Sequence, residues 1–184
     1  MQNKRLLQIL VPVLIVVAVS GLFLIKNVGD KDRFFNGDKN SQSTLSNSNN
    51  DNSLYASDIS METLTSYGLP FLIDFGSPSC VWCVRMEPTL KKMHDEYDKK
   101  VTVRYLDLSK YSKQADGYPV SAIPAQFFFN SDGTAFTPSS ELQQIVKFDF
   151  YKDDESGKTM TGHVGALSES ELRSILDEMV SANE

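Results

Sequence analysis

Hydrophobic positions along this chain fall into three regimes. Leu6 to Ile25 runs for twenty positions without a charge, Asn36 to Ser53 holds one apolar residue in eighteen, and from Leu54 onward apolar residues recur with ordinary strand and helix periods. In the third regime Ile59, Leu64 and Tyr67 predict a helix over Ser57–Tyr67, stopped by Gly68 and Pro70. Phe71–Phe75 is an apolar run of strand length, suited to burial on both faces. Cys83, Met86, Leu90, Met93 and Tyr97 then recur at three and four, which predicts a helix that begins at the cysteines and is bent by Pro88. Val101–Leu106 and Ala125–Phe129 read as further strands. Asn130–Gly133 is a turn from which Thr134–Phe136 returns as a hairpin arm. Ile145–Tyr151 alternates like a strand, DDESG makes a turn, and Lys158–Val164 is its partner, so an extra hairpin is expected at the sheet edge. Ser168 and Glu171 form a capping box before Leu172, Ile175, Leu176, Met179 and Val180, the stripe of a closing amphipathic helix.

The first two regimes divide the chain. A helix over Leu6–Ile25 spans roughly 30 Å, the thickness of a bilayer's hydrocarbon core. Residues 1–26 are therefore expected to be a transmembrane anchor, with cleavage after Ala18-Val19-Ser20 as a signal peptide the rival reading. Lys4 and Arg5 before the span keep the N-terminus in the cytoplasm and export the rest. The expected location is thus the cell membrane, single-pass with the folded domain outside, or the exterior if the segment is removed. Residues 27–53 form an Asn/Ser-rich linker, of which the eighteen from Asn36 cannot bury enough surface to fold and reach roughly 25 Å as a coil. Residues 54–184 form one domain, with 12 Lys plus Arg against 20 Asp plus Glu. That balance, without a basic stripe, argues against a nucleic-acid partner.

The chain has only two cysteines, Cys80 and Cys83. Three positions apart at a helix start, they are neighbours on one face, where a disulfide forms and breaks with little backbone movement. A structural staple is one alternative, but so short a loop gives only about 2 kcal/mol by chain entropy. Half a zinc site is the other, and it lacks partners: His94 and His163 are the only histidines and are not paired at ligand spacing. Redox chemistry is the favoured reading. Cys80, at the helix N-terminus, gains thiolate character from the dipole and from free N–H groups and is the expected nucleophile. Asp74, the one charge in an apolar run, is either a desolvated acid near neutrality or an ordinary strand-end residue.

Strand, CxxC helix, strand, Ile123-Pro124, strands and closing helix, with Asp74 six before Cys80, Pro88 five after Cys83 and Val164-Gly165-Ala166-Leu167 before the last helix, resemble the thioredoxin family. The resemblance implies an α/β thioredoxin fold, a mixed central sheet flanked by helices, here with a hairpin-like insertion at about residues 134–160. It implies a thiol–disulfide oxidoreductase that reduces disulfides of exported proteins by dithiol exchange at the Cys80–Cys83 pair, its redox centre, with no other cofactor and no metal. Asp74 becomes the proton acceptor for Cys83, and Pro124 a cis-proline beside the cysteines. The Ile123 backbone would pair with substrate, and Val81, Trp82, Ile123, Val164 and Gly165 would make an apolar docking surface. Partners would be exported proteins bearing disulfides and a membrane electron donor. A disulfide oxidase or isomerase, and a binding module without catalysis, are the alternative functions. The chain departs from the family pattern in Val81-Trp82 between the cysteines, in Ser79 before them, and in Tyr105 where a lysine is common. The interval from Asp107 to Ile123 is too short for the helical insertion of the periplasmic disulfide oxidases.

Overall fold

A computed structural model describes residues 53–153 and 157–183. The anchor and nearly all of the linker expected from the sequence lie outside those residues. Six strands are formed by Tyr55–Ala56 (β1), Phe71–Gly76 (β2), Thr102–Asp107 (β3), Ala125–Phe129 (β4), Asp149–Lys152 (β5) and Thr159–Val164 (β6). They make one mixed sheet in the order β1-β3-β2-β4-β6-β5. The β1–β3 and β2–β3 pairs are parallel, and the β2–β4, β4–β6 and β5–β6 pairs are antiparallel.

Every residue of β2 is buried, because both faces of the sheet are covered. Leu72 with Val103 and Phe128 packs against the helices Val81–Glu96 (α2) and Glu169–Ser181 (α5), through Met86, Leu90, Met93, Leu172, Ile175 and Met179. On the opposite face Phe71, Ile73, Phe75, Phe127 and Phe129 pack with Ile59 and Leu64, the latter from the helix Met61–Ser66 (α1). The aromatic rings there interlock, Phe71 stacking on Phe129 at 4.9 Å and Phe75 meeting Phe127 edge to face at 5.7 Å.

The first helix is shorter than Ser57–Tyr67. Ser60 caps it by accepting from the Thr63 amide, and Asp58 holds Ser60, so the chain before Met61 is committed to the cap. Ile59 and Leu64 are buried in one cluster as a hydrophobic staple across that cap, which gives the segment its loosely helical spacing. A four-residue helix, Leu108–Tyr111 (α3), and a 3-10 turn, Ser112–Ala115, lie between β3 and β4.

The segment before the last helix departs most from expectation. Thr134–Phe136 returns beside β4 as a single bridge, Phe129 to Ala135, rather than as a hairpin strand. Ile145 does not open a strand, because Leu142–Ile145 is a helical turn (α4) closed by the Val146 amide on the Leu142 carbonyl. Its start is pinned to α5, since Ser139 donates to Glu178 from both its amide and its hydroxyl. Val146 and Phe148 are buried while Lys147 is not, so the alternation is real but belongs to an extended segment that joins the sheet only at Asp149. The expected hairpin forms, Asp149–Lys152 pairing antiparallel with residues 159–162, but it adds one strand to the edge rather than two, because β6 is an inner strand paired to β4. The tip of the turn between β5 and β6 falls outside the described residues. The capping box at Ser168 is formed with both of its hydrogen bonds.

Candidate active site

The chain leaves β2 through Gly76 and turns at Ser77–Ser79, where the Ser77 carbonyl accepts from the Cys80 amide at 3.0 Å and the two serine hydroxyls meet at 2.9 Å. This turn sets Cys80 as the N-cap of α2. Its Sγ accepts from the Cys83 amide at 3.2 Å, the contact a Ser or Asp oxygen makes at other helix starts. The sulfur therefore sits where helix N–H groups are unsatisfied and the dipole favours negative charge, conditions that stabilise a thiolate. Cys80 and Cys83 are joined as a disulfide with Cα atoms 5.3 Å apart. Cys80 is half-buried and Cys83 is buried, so only the first is open to a partner.

The far wall comes from β4 and β6. The Ile123–Pro124 peptide is cis, and the Ile123 carbonyl oxygen lies 3.6 Å from Cys80 Sγ. Val164 is paired with Ala125 in register, and the Gly165 amide donates to the Pro124 carbonyl at 2.9 Å. Gly165 has a φ of 128°, a region that favours glycine. Val164 and Gly165 are thus gathered about Pro124, whose neighbour Ile123 lies beside Cys80. Val81 and Trp82 are both well exposed at the helix start, and Arg85 lies over the Trp82 ring at 4.9 Å.

Asp74 is buried, 2% exposed, on the sheet face that meets α2. Burial raises its pKa to about 7, and a hydrogen bond from Gln126 opposes that rise. Gln126 Nε2 donates to Asp74 Oδ1 at 2.6 Å and approaches Met86 Sδ at 3.6 Å, so it reaches from the acid to the inner stripe of α2, on which Cys83 lies one turn earlier. Tyr105 faces Asp74 from β3 in register, and burial followed by the nearby Asp74 charge pushes its phenol well above the ordinary range. A Cβ at Gly76 would lie 2.5 Å from the Tyr105 ring, so a glycine is required there by close approach.

Two features of this site were not foreseen from the sequence, Gln126 and the Gly76–Tyr105 contact. Gln126 carried a signal, being the single polar residue in AQFFF as Asp74 is in FLIDF. The two histidines lie elsewhere: His94 is half-buried against the Val103 carbonyl, and His163 bonds the Lys147 carbonyl from β6. Among the described residues no three His, Cys, Asp or Glu side chains gather as a metal site.

A vicinal cysteine pair that closes at a helix start, one sulfur at the rim and one inside, defines a thiol–disulfide oxidoreductase. The thioredoxin family model matches residues 55–148, the stretch that holds the pair, the acid and the cis-proline. The chain belongs to the thioredoxin family. It is 26% identical over 128 residues to a thioredoxin of Acidithiobacillus ferridurans, covering 69% of this chain and 95% of that one. It is 33% identical over 82 residues to protein disulfide isomerase-like 2-1 of Oryza sativa, covering 42% of this chain. The match spans only about a fifth of that relative's length, 22%. A solved thioredoxin of Malassezia sympodialis shares 19% identity at a TM-score of 0.46, over 68% of this chain and 91% of that one.

Proposed function

We propose that this protein is a membrane-tethered, extracytoplasmic thiol–disulfide reductase, anchored by residues 1–26, spaced by residues 27–53 and active through residues 54–184. The observation that carries the exchange chemistry is the asymmetry of the pair, with Cys80 at the rim and Cys83 buried on the inner face of α2. In the reduced protein the Cys80 thiolate attacks one sulfur of a substrate disulfide and expels the other as a thiolate. Asp74 takes the proton from Cys83, whose thiolate attacks Cys80 and expels the second substrate sulfur. Two electrons have then passed to substrate and the Cys80–Cys83 disulfide remains. A membrane electron donor returns the pair to the dithiol.

Docking is assigned to Val81, Trp82, Val164, Gly165 and the Ile123 and Pro124 backbone, which together frame Cys80. Backbone pairing at Ile123 gives affinity that depends little on substrate sequence. The reducing direction is supported by the short path from β3 to β4, which holds only α3 and a 3-10 turn and has no room for the helical insertion of the periplasmic oxidases. In growing cells, thiol alkylation should find Cys80 and Cys83 mainly reduced, and the chain in the membrane fraction with its domain open to external protease. A fully oxidised pair with a potential near about −120 mV overturns the direction. A Cys83→Ala variant should trap exported proteins through Cys80.

A disulfide oxidase or isomerase is the second reading, favoured by the likeness to protein disulfide isomerase-like 2-1. Oxidative refolding of a reduced substrate with stoichiometric oxidised protein separates the two. Prompt recovery of the native substrate selects oxidase or isomerase.

A further inference from the structure

Gln126 sits on β4 in register between Asp74 on β2 and His163 on β6, and it is fully buried. Only half of its side chain is engaged. Nε2 donates to Asp74 Oδ1 at 2.6 Å, whereas Oε1 has no hydrogen-bond partner among the described residues. A buried acceptor left alone is unfavourable and uncommon, and an apolar side chain of similar size would fill the same space without that cost. The unused oxygen therefore calls for a functional account.

Asp74 has different needs in its two protonation states. The ionised carboxyl only accepts hydrogen bonds, and the protonated one carries an O–H that must donate. A carboxamide has one end for each, and a half-turn about its terminal bond, a torsion that is soft and roughly two-fold, exchanges them. We propose that Gln126 is the positioning residue for Asp74, presenting Nε2 to the ionised carboxyl and, after a half-turn, Oε1 to the protonated one, so that the acid keeps a partner through each cycle of proton exchange. The inference rests on the reading of Asp74 as the acceptor for Cys83. The other titratable groups on this face are Tyr105 from β3, Cys83 from α2 and His163 beyond Gln126 on β6. Glu87 of α2 acts on Tyr105, and no charged neighbour contributes to the raised pKa of Asp74. The bond to the ionised carboxyl is charge-assisted and the stronger of the two, so on balance Gln126 favours the ionised acid against burial.

Carboxyl-carbon NMR of Asp74 in the full-length chain tests the coupling directly. Gln126→Met keeps an unbranched side chain of similar length and removes both ends, and the Asp74 midpoint should rise by about one pH unit. An unchanged midpoint overturns the proposal, as a space-filling role predicts. Should that variant fail to fold, the wild type supplies its own test. The Gln126 side-chain amide signals should titrate with the Asp74 midpoint, and signals that stay flat across that range overturn it.

Kinetics place the coupling in the reaction. The mixed disulfide of Cys80 with thionitrobenzoate releases the chromophore when Cys83 attacks. For Gln126→Met the rate should fall about fivefold at pH 7 and recover at alkaline pH, the profile moving by the same pH interval as the NMR midpoint. A uniform loss at every pH overturns the proposal. Asp74→Asn separates the underlying reading. If that variant resolves the mixed disulfide at the wild-type rate and pH dependence, Asp74 is not the acceptor, and the NMR coupling to Gln126 is then judged without it.

Discussion

Asp74 shows how one residue can oppose the stability of the fold that positions it. Its folded pKa, about 7, lies above its unfolded value, so between about pH 4 and 7 the native state holds a proton that the unfolded chain has released. Stability from this group is complete below that window and falls as pH rises through it. Asp74→Asn removes the dependence, and its stability relative to wild type should grow by up to about 4 kcal/mol between pH 4 and 8, then level off. Urea denaturation of the oxidised proteins at several pH values measures this, and parallel curves would refute the buried acid. Gly76 makes a second demand at this scale. Gly76→Ala drives a methyl into the Tyr105 ring and should cost about 1–3 kcal/mol, most of it recovered when Tyr105 is also shortened to Leu. A cost that is the same in both backgrounds would show that the ring is not the obstacle.

At the scale of elements, strands and helices with a continuous apolar signature were legible. Ala125–Phe129 forms where the sequence put it, α2 starts at the cysteines, and the stripe of α5 is buried at Leu172, Ile175, Leu176 and Met179, with Val180 half-buried at its edge. Of the boundaries set by polar contacts, the Ser168–Glu171 capping box was legible because both partners lie within one turn, and two others were not. Asp58 and Ser60 delay α1, and Ser139 with Glu178, 39 residues apart, starts α4 through a contact that no local pattern carries. The site followed the same division: the cysteines stand out by type and spacing and Asp74 as the one charge in an apolar run, with its two readings left open, whereas Gln126 gains its meaning only once β4 lies beside β2. The inserted segment is more than decoration. Phe136, Leu142, Val146 and Phe148 all enter the core, and Phe148 meets Phe128 edge to face at 5.7 Å. Phe148→Ala should therefore cost about 3 kcal/mol by thermal or chemical melting. A loss under about 0.5 kcal/mol, the ordinary effect of a surface change, would mark the segment as a loosely attached loop.

Across the whole molecule, the elements that frame the cysteines differ in how far apart they stand in sequence. Cys80, Cys83 and Asp74 come from one continuous stretch, β2 to α2, while the opposite wall joins β4 to β6 across residues 130–158. These two antiparallel neighbours are not joined by a tight turn. Closing a connection of that length, against one of about four residues, spans roughly three doublings and costs about 1.7 kcal/mol more in chain entropy. Pairing of β2 with β3 also needs a loop, but α2 shortens it by forming locally. The expected order of assembly is that the half holding the cysteines organises before the half formed by β4 and β6. Pulse-labelled hydrogen exchange during refolding should protect β2 and β3 amides ahead of those in β6, and simultaneous protection would contradict it. A newly made chain would then pass through a stage with cysteines in place and the β4–β6 side still open, so the long connection before β6 also sets how long the thiols stand exposed on that side.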